Sequence, residues 1–438
     1  MNKLIFLFIF IIISACSLNS QSKFWTKSKE VTKDNNNLNN KVKKQEIFKK
    51  EKILKKEFNK NLKIKINSNL SSNYKNNINS NNSGLLNFSG ELKRSSRYKF
   101  SKIKNFYQYE PELIFDERNL IFFENKGTIL KFNENSKLVW KKNFYLKQEK
   151  KLNPVLQFAS NDKYLIVADN LAKYFMLDKE NGELIWSKNN SAPFNSQIKI
   201  FKDKFFIIDF DNTLRCFSLK NGNELWNVKT QNSLIRSQKK LSMVIVDNVI
   251  FFNNSIGDIS SVNLNNGELL WQFPTQNSLV YESAFSLETS EIVTDGKALY
   301  FSNNKNQFYS IDLSTGSLNW KTKVNSNLKP TIIENIIFTV SIEGYLILID
   351  RKNGNIIRIT DVFDYFKTKK RNLIKPTGFI VGLDSVYLST DNGRLLVVDN
   401  SSGKIVSAIK IDGEKILRPA VMNDSLFVVK DNSIIKLN

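Results

Sequence analysis

Seven turns built on one rule, tryptophans at intervals of 46, 40, 45 and 49 residues, and about four strand-like runs per interval predict an all-β chain, an eight-bladed β-propeller. The rule starts at an Asp, Asn or Ser, with a glycine at plus four and a large side chain at plus eight. Asp178 leads to Asn181-Gly182 and Trp186, and Ser218 leads to Asn221-Gly222 and Trp226. Asn263 leads to Asn266-Gly267 and Trp271, and Asp312 leads to Thr315-Gly316 and Trp320. Asp350 leads to Asn353-Gly354 with Arg358 in the tryptophan place; Asp399 leads to Ser402-Gly403 with Ser407 there. The first turn, Asn133-Glu134-Asn135-Ser136-Lys137, reaches Trp140 with one residue missing and no glycine.

The spacing has a physical cause. The leading side chain accepts hydrogen bonds from turn amides, and Asn-Gly supplies the positive φ of a tight hairpin. The residue four beyond the glycine then lies on the returning strand, where a tryptophan is expected to wedge against the next blade. The other reading of the tryptophans is a ladder that stacks a ligand. In the fifth blade the strands are expected near 287–294, 298–302, 307–312 and 317–324. After Arg418-Pro419 a last unit has three strands, 420–422, 425–430 and 433–437, and then the chain ends. Its fourth strand is expected from the start of the domain, near 98–103. Exchange of this N-terminal strand closes the ring and hides the edges of the first and last blades. The propeller is accordingly placed at 96–438.

Residues 16–95 read as a flexible, disordered basic linker. Runs such as Asn35-Asn36-Asn37 and Asn79-Ser80-Asn81-Asn82-Ser83 bury too little apolar surface to offset chain entropy. As a random coil the stretch spans roughly 50 Å. Ile47, Leu54, Phe58 and Leu62 recur at helical spacing with lysines between. They give either a basic amphipathic helix on an anionic membrane or a solvated, partly formed one.

Net charge is +23, but residues 17–95 alone hold 18 Lys or Arg against 6 Asp or Glu. About half the excess thus sits in the linker. Richness in Lys, Asn, Ile and Phe is also what an AT-biased genome yields without selection for a basic surface. Nucleic-acid binding is therefore not expected. The chain has no histidine, which removes Ser-His and Cys-His catalysis and every imidazole metal site. Of the two cysteines, Cys216 lies in a strand-like run and is expected as a small buried hydrophobe.

Lys3, the apolar run 4–13 and the small residues Ser14-Ala15 have the layout of a secretory signal peptide, 1–15. Ten apolar residues make about 15 Å of helix, too short to cross a bilayer of roughly 30 Å. Ile12-Ile13-Ser14-Ala15-Cys16 resembles the bacterial lipobox, which implies cleavage before Cys16 and lipidation of its thiol. Ser17, where an Asp would favour the inner membrane, implies the outer membrane.

The turn pattern Asp-x-x-(Thr/Asn/Ser)-Gly-x-x-x-Trp resembles the tryptophan-docking repeat of the pyrroloquinoline quinone (PQQ)-type propellers. Two branches matter: the quinoprotein dehydrogenases, and the BamB-like lipoproteins of outer-membrane protein assembly. Lipobox, eight blades and strand exchange are similar to the BamB-like branch. That resemblance implies a non-enzymatic scaffold without cofactor, docking on periplasmic domains of the barrel-assembly protein BamA beside other lipoproteins of that machine. BamB-like proteins carry a Leu-x-Leu-Arg type contact loop after the third tryptophan hairpin. Here Ser233-Leu234-Ile235-Arg236-Ser237 stands there, so the resemblance implies partner contacts by Leu234, Ile235, Arg236 and Ser237. The spacing is one residue shorter. An acidic Asp-x-Asp segment before the fifth blade is replaced by Ser286-Leu287-Glu288, where only Glu288 matches. The dehydrogenases resemble the fold but need a catalytic Asp, a calcium site and often adjacent cysteines, and no adjacent cysteine pair exists here. The basic linker motivates a third reading, a propeller lipoprotein that binds peptidoglycan or another envelope polymer.

Overall fold

The computed structural model describes residues 56–67, 81–104, 106–108, 110–231, 237–275 and 287–438. Eight four-stranded antiparallel sheets follow one another along the chain. The first comprises Ile114–Asp116, Asn119–Glu124, Thr128–Phe132 and Leu138–Lys142. The eighth comprises Ala420–Met422, Ser425–Lys430 and Ser433–Leu437, and takes Arg94–Lys99 as its outermost strand. The exchange closes the ring as expected but begins at residue 94, not 98: Tyr98 faces Ile434 and Arg94 faces Leu437. Only Tyr98 of this strand is fully buried. An outermost strand is half in water, so the apolar alternation that marks a strand is missing from its sequence.

First strands touch between blades one and two, two and three, three and four, and five and six, which puts these strands around the axis. Second and third strands are buried along nearly their whole length, because neighbouring blades cover both faces. In the fifth blade every residue of Ala298–Asn303 is buried, whereas Leu318–Thr322 is mostly exposed. Outside the eighth blade, each hairpin into the fourth strand carries a bulge one residue before the tryptophan place. Thus Met176 faces Trp186 while Leu177 faces Leu184, and Ile185 is the extra residue. The bulge leaves the two residues ahead of the tryptophan in solvent and turns the tryptophan inward.

Each of the five hairpin tryptophans docks on the turn glycine of the next blade: Trp140 on Gly182, Trp186 on Gly222, Trp226 on Gly267, Trp271 on Gly316 and Trp320 on Gly354. Only glycine fits such a seat. Gly354 has φ +76°, and a Cβ there would lie 2.5 Å from Cε3 of Trp320. The indole N–H of Trp186 donates to the Leu219 carbonyl at 3.0 Å, that of Trp271 to Leu313 at 3.2 Å, and that of Trp320 to Arg351 at 3.0 Å. Inter-blade packing is therefore the role of the tryptophans, and Cys216 is fully buried among them, against Trp226.

Two stretches read as free linker lie instead on the propeller, and the expectation is corrected there. Residues 57–64 run along the outer edge of the sixth blade. Phe58 makes a two-way backbone pair with Ile359, and Ile64 N–H donates to the Ser401 carbonyl. Phe58 is thus extended and Leu62 closes a turn on the Asn59 carbonyl, so neither is helical; Ile47 and Leu54 lie outside the described residues. Residues 81–93 cross the end of the axis where the first strands turn into the second. The Asn81 side chain donates to the Ile245 carbonyl at 2.6 Å and accepts its N–H at 3.2 Å; Asn82 does the same with Ile332 at 2.9 and 3.0 Å. Leu85 and Phe88 then pack under the seventh blade. Asparagine-rich sequence folds here because side-chain amides stand in for a missing strand partner. Among the described residues no helix is long and apolar enough to cross a membrane.

Candidate functional site: the loop face and its charged mouth

The connection from each outermost strand to the next first strand ends at the opposite mouth of the axis. Six of these connections place a charged or amide side chain two to four residues ahead of a first strand, and those of five of them meet. Lys239 binds Glu110 at 2.6 Å, Lys240 binds Glu112 at 2.7 Å and Lys329 binds Glu291 at 3.0 Å. The Gln197 amide bridges two of the acids, donating to Glu112 at 3.1 Å and to Glu291 at 2.9 Å. Lys240 also donates to the Glu110 carbonyl at 3.0 Å. Arg418 lies within electrostatic reach of Glu291 and Glu112, and donates to the Phe379 carbonyl at 2.9 Å and to the Ser83 hydroxyl at 2.6 Å, which ties residues 81–93 to this connection.

Burial alone would raise the pKa of all three carboxyls. The lysines outweigh it: Lys239 for Glu110, Lys240 for Glu112, and Lys329 for Glu291 hold each below the usual carboxylate range. Lys240 is conversely raised by Glu112 and Glu291 against its own desolvation. Lys199, from the first strand of the third blade, is lowered to about 8 by burial and by the nearby Lys329. The mouth is thus a ring of engaged charges at neutral pH. No signal short of the fold itself reveals it, since its members are spread from residue 110 to residue 418.

Of the residues singled out by resemblance the structure describes two, Ser237 and Glu288. Leu234, Ile235 and Arg236 lie outside the described residues, as does Cys16. Ser237 is where the loop rejoins the blade. It is buried, its N–H donates to the Ser255 carbonyl at 3.0 Å, and its hydroxyl accepts the Lys239 N–H at 3.2 Å. Two residues on, Lys239 belongs to the charged ring. Glu288 is half-buried: its N–H donates to the Asn304 side chain at 3.0 Å and its carboxylate accepts from Asn327 of the next connection. Glu288 therefore couples the fifth and sixth blades. Among the described residues no group of three Cys, Asp or Glu is arranged to hold a metal ion.

Blades that dock a tryptophan on the next glycine, closed by an N-terminal strand, define a PQQ-repeat propeller of the BamB-like kind. The family model described as outer membrane protein assembly factor BamB matches residues 125–360, and the chain belongs to that family. Among solved structures, BamB from Moraxella catarrhalis is 14% identical, with 79% of this chain and 99% of that one covered and a TM-score of 0.65. The quinohemoprotein alcohol dehydrogenase of Comamonas testosteroni is 8% identical, with 81% and 78% covered and a TM-score of 0.58. The computationally designed protein Ika8 is 12% identical, with 81% and 99% covered and a TM-score of 0.56. At such identities the likeness is one of fold. No curated protein matches the chain by sequence.

Proposed function

We propose that the chain is a non-enzymatic scaffold lipoprotein of the outer-membrane β-barrel assembly machinery, anchored through Cys16 and docking on periplasmic domains of BamA. The observation that carries this reading is membership of the BamB family over residues 125–360. The loop face supports it. The connection holding Leu234, Ile235 and Arg236 is clamped on either side, by Thr230 hydrogen bonds to the Asn212 carbonyl and by Ser237 to Ser255. Leu, Ile and Arg in succession combine apolar area with a directional hydrogen-bond donor, the mixture enriched at contact centres. Glu288, tied to Asn327, is the acidic residue that the resemblance adds to the contact. A second reading, a quinone-dependent dehydrogenase, has the fold likeness in its favour. Against it, each acid at the mouth is already held by a lysine.

The test is Leu234→Asp with Arg236→Glu. The double variant is expected to lose capture by BamA, at least about thirtyfold, while its circular dichroism is unchanged. A folded double variant that still binds moves the contact off this loop. Cys16→Ala is expected to leave the outer-membrane pellet; retention there would remove lipid as the anchor. An absorption spectrum with a bound quinone would decide for the dehydrogenase.

A further inference from the structure

A concavity of about 380 Å³ beside the first blade is lined by Lys126, Thr128, Lys141, Lys142, Asn143 and Lys150. Its size is within the range of small-ligand sites. Four of its six lining side chains are ammonium groups and none is a carboxylate. The nearby acids are committed elsewhere. Glu124 binds Lys141 at 2.6 Å and accepts the Ser101 N–H at 2.7 Å, so it fixes Lys141 at the rim. Glu149 binds Lys173 at 3.2 Å and accepts the Leu146 N–H at 2.6 Å. Among the described residues, Lys126, Lys142 and Lys150 have no ion pair. The polar floor is prebuilt: the Asn143 amide donates to the Lys126 carbonyl at 3.1 Å and to the Thr128 hydroxyl at 2.8 Å, while its oxygen accepts the Tyr145 N–H at 3.0 Å. Thr128 thereby keeps its own proton for a further acceptor.

Three lysines without an ion pair among the described residues line one open concavity, so positive charge gathers there with no carboxylate to offset it. Lysine donates to compact, multiply charged oxyanions as a point charge. We propose that this hollow binds a phosphate-bearing anion, gripped by Lys126, Lys142 and Lys150 with Thr128 donating to a phosphate oxygen. The anion is either free or the exposed phosphomonoester of a lipid headgroup. This inference does not depend on the assembly-machine reading.

The probes are inorganic pyrophosphate by calorimetry and phosphatidylcholine vesicles doped with phosphatidic acid by co-sedimentation, both with the full chain. Lys126→Gln, Lys142→Gln and Lys150→Gln are combined. A control variant loses three exposed lysines elsewhere, Lys202, Lys220 and Lys321, and so has the same net charge. The pocket variant is expected to bind pyrophosphate about thirtyfold more weakly, with the control near wild type. Loss of phosphatidic-acid binding as well assigns the site to lipid headgroups; retained vesicle binding assigns it to a free anion. If the pocket variant and the control lose affinity equally, or neither loses any, the hollow is not a site. Thr128→Val, which removes only the hydroxyl, serves as the second variant should the triple one unfold; it is expected to weaken pyrophosphate binding, and unchanged binding counts against the site.

Discussion

Arg358 donates from Nη2 to the carbonyl of Asn400 at 3.1 Å, the same turn position to which Trp186, Trp271 and Trp320 donate their indole N–H in the next blade. An arginine thus replaces a tryptophan in the inter-blade seat and keeps its hydrogen bond. It is fully buried, and burial, partly offset by Asp399, lowers its pKa to about 10. The substitution adds something a tryptophan lacks: Nη1 donates to the Leu62 carbonyl at 2.9 Å and also to Ser401. The arginine therefore joins blades six and seven and clasps residues 57–64 onto them.

Arg358→Trp is accordingly expected to keep the propeller folded and release that segment. Trypsin cuts after Lys60 and Lys63 should accelerate by about tenfold or more, the equivalent of one charge-assisted hydrogen bond when opening is fast relative to cleavage. Unchanged cleavage at these two lysines would mean that the backbone bonds of Phe58 with Ile359 and of Ile64 with Ser401 hold the segment without the arginine.

Two glycines separate the cost of conformation from the cost of docking. Gly296 has φ +85° with open space around a Cβ; Gly354 has φ +76° with Trp320 against it. Gly296→Ala should cost only the strained backbone, about 1 kcal/mol. Gly354→Ala must also displace Trp320 and is expected to cost about 2 kcal/mol more in urea unfolding. Equal losses would remove the tryptophan seat as a source of stability.

The repeat was legible because the turn rule is local: an acceptor, a glycine and a large side chain within nine residues specify both hairpin and bulge. The three strands at 420–437, which lack the rule, were legible as short apolar runs after Arg418-Pro419. What escaped was whatever works across sequence distance or through polar groups. Asn81 and Asn82 look like low-complexity linker, yet they pair with Ile245 and Ile332 through amides that hydropathy cannot register. Phe58 and Leu62 fit a helical spacing, but the open edge of the sixth blade pairs Phe58 with Ile359, and Leu62 closes a turn on the Asn59 carbonyl instead. Glu110 and Lys239 are 129 residues apart and become partners only when the ring closes.

Closure predicts how the domain fails. Deleting residues 421–438 removes most of the eighth blade and leaves Arg94–Lys99 without Ser433–Leu437 to pair with. Two blade faces, the first and the seventh, are then bared to water. Loss of cooperative thermal unfolding across the whole domain is expected, not fraying of its end. An unchanged midpoint in the truncated chain would contradict coupling through the exchanged strand.

The charged mouth gives a pH signature with a definite sign. The folded carboxyls of Glu110, Glu112 and Glu291 lie below their ordinary value of about 4.5. Groups depressed in this way contribute stability that is present above the unfolded value and is lost as pH falls through the folded ones. The melting temperature of the wild type should therefore hold from neutral pH to about 5 and fall below about 4.5. Glu291→Gln leaves Lys329 buried without its partner, which should cost about 3 kcal/mol at pH 7. Glutamine cannot titrate, so the variant should then fall less steeply with acid, and the two curves should converge as Glu291 of the wild type protonates. Other depressed acids, such as Asp116 beside Lys131 and Lys179, act on both proteins alike and cancel in the difference. Parallel curves with a constant offset would show that Glu291 is protonated alike in folded and unfolded chains, and would dissolve the ion-pair account of the mouth.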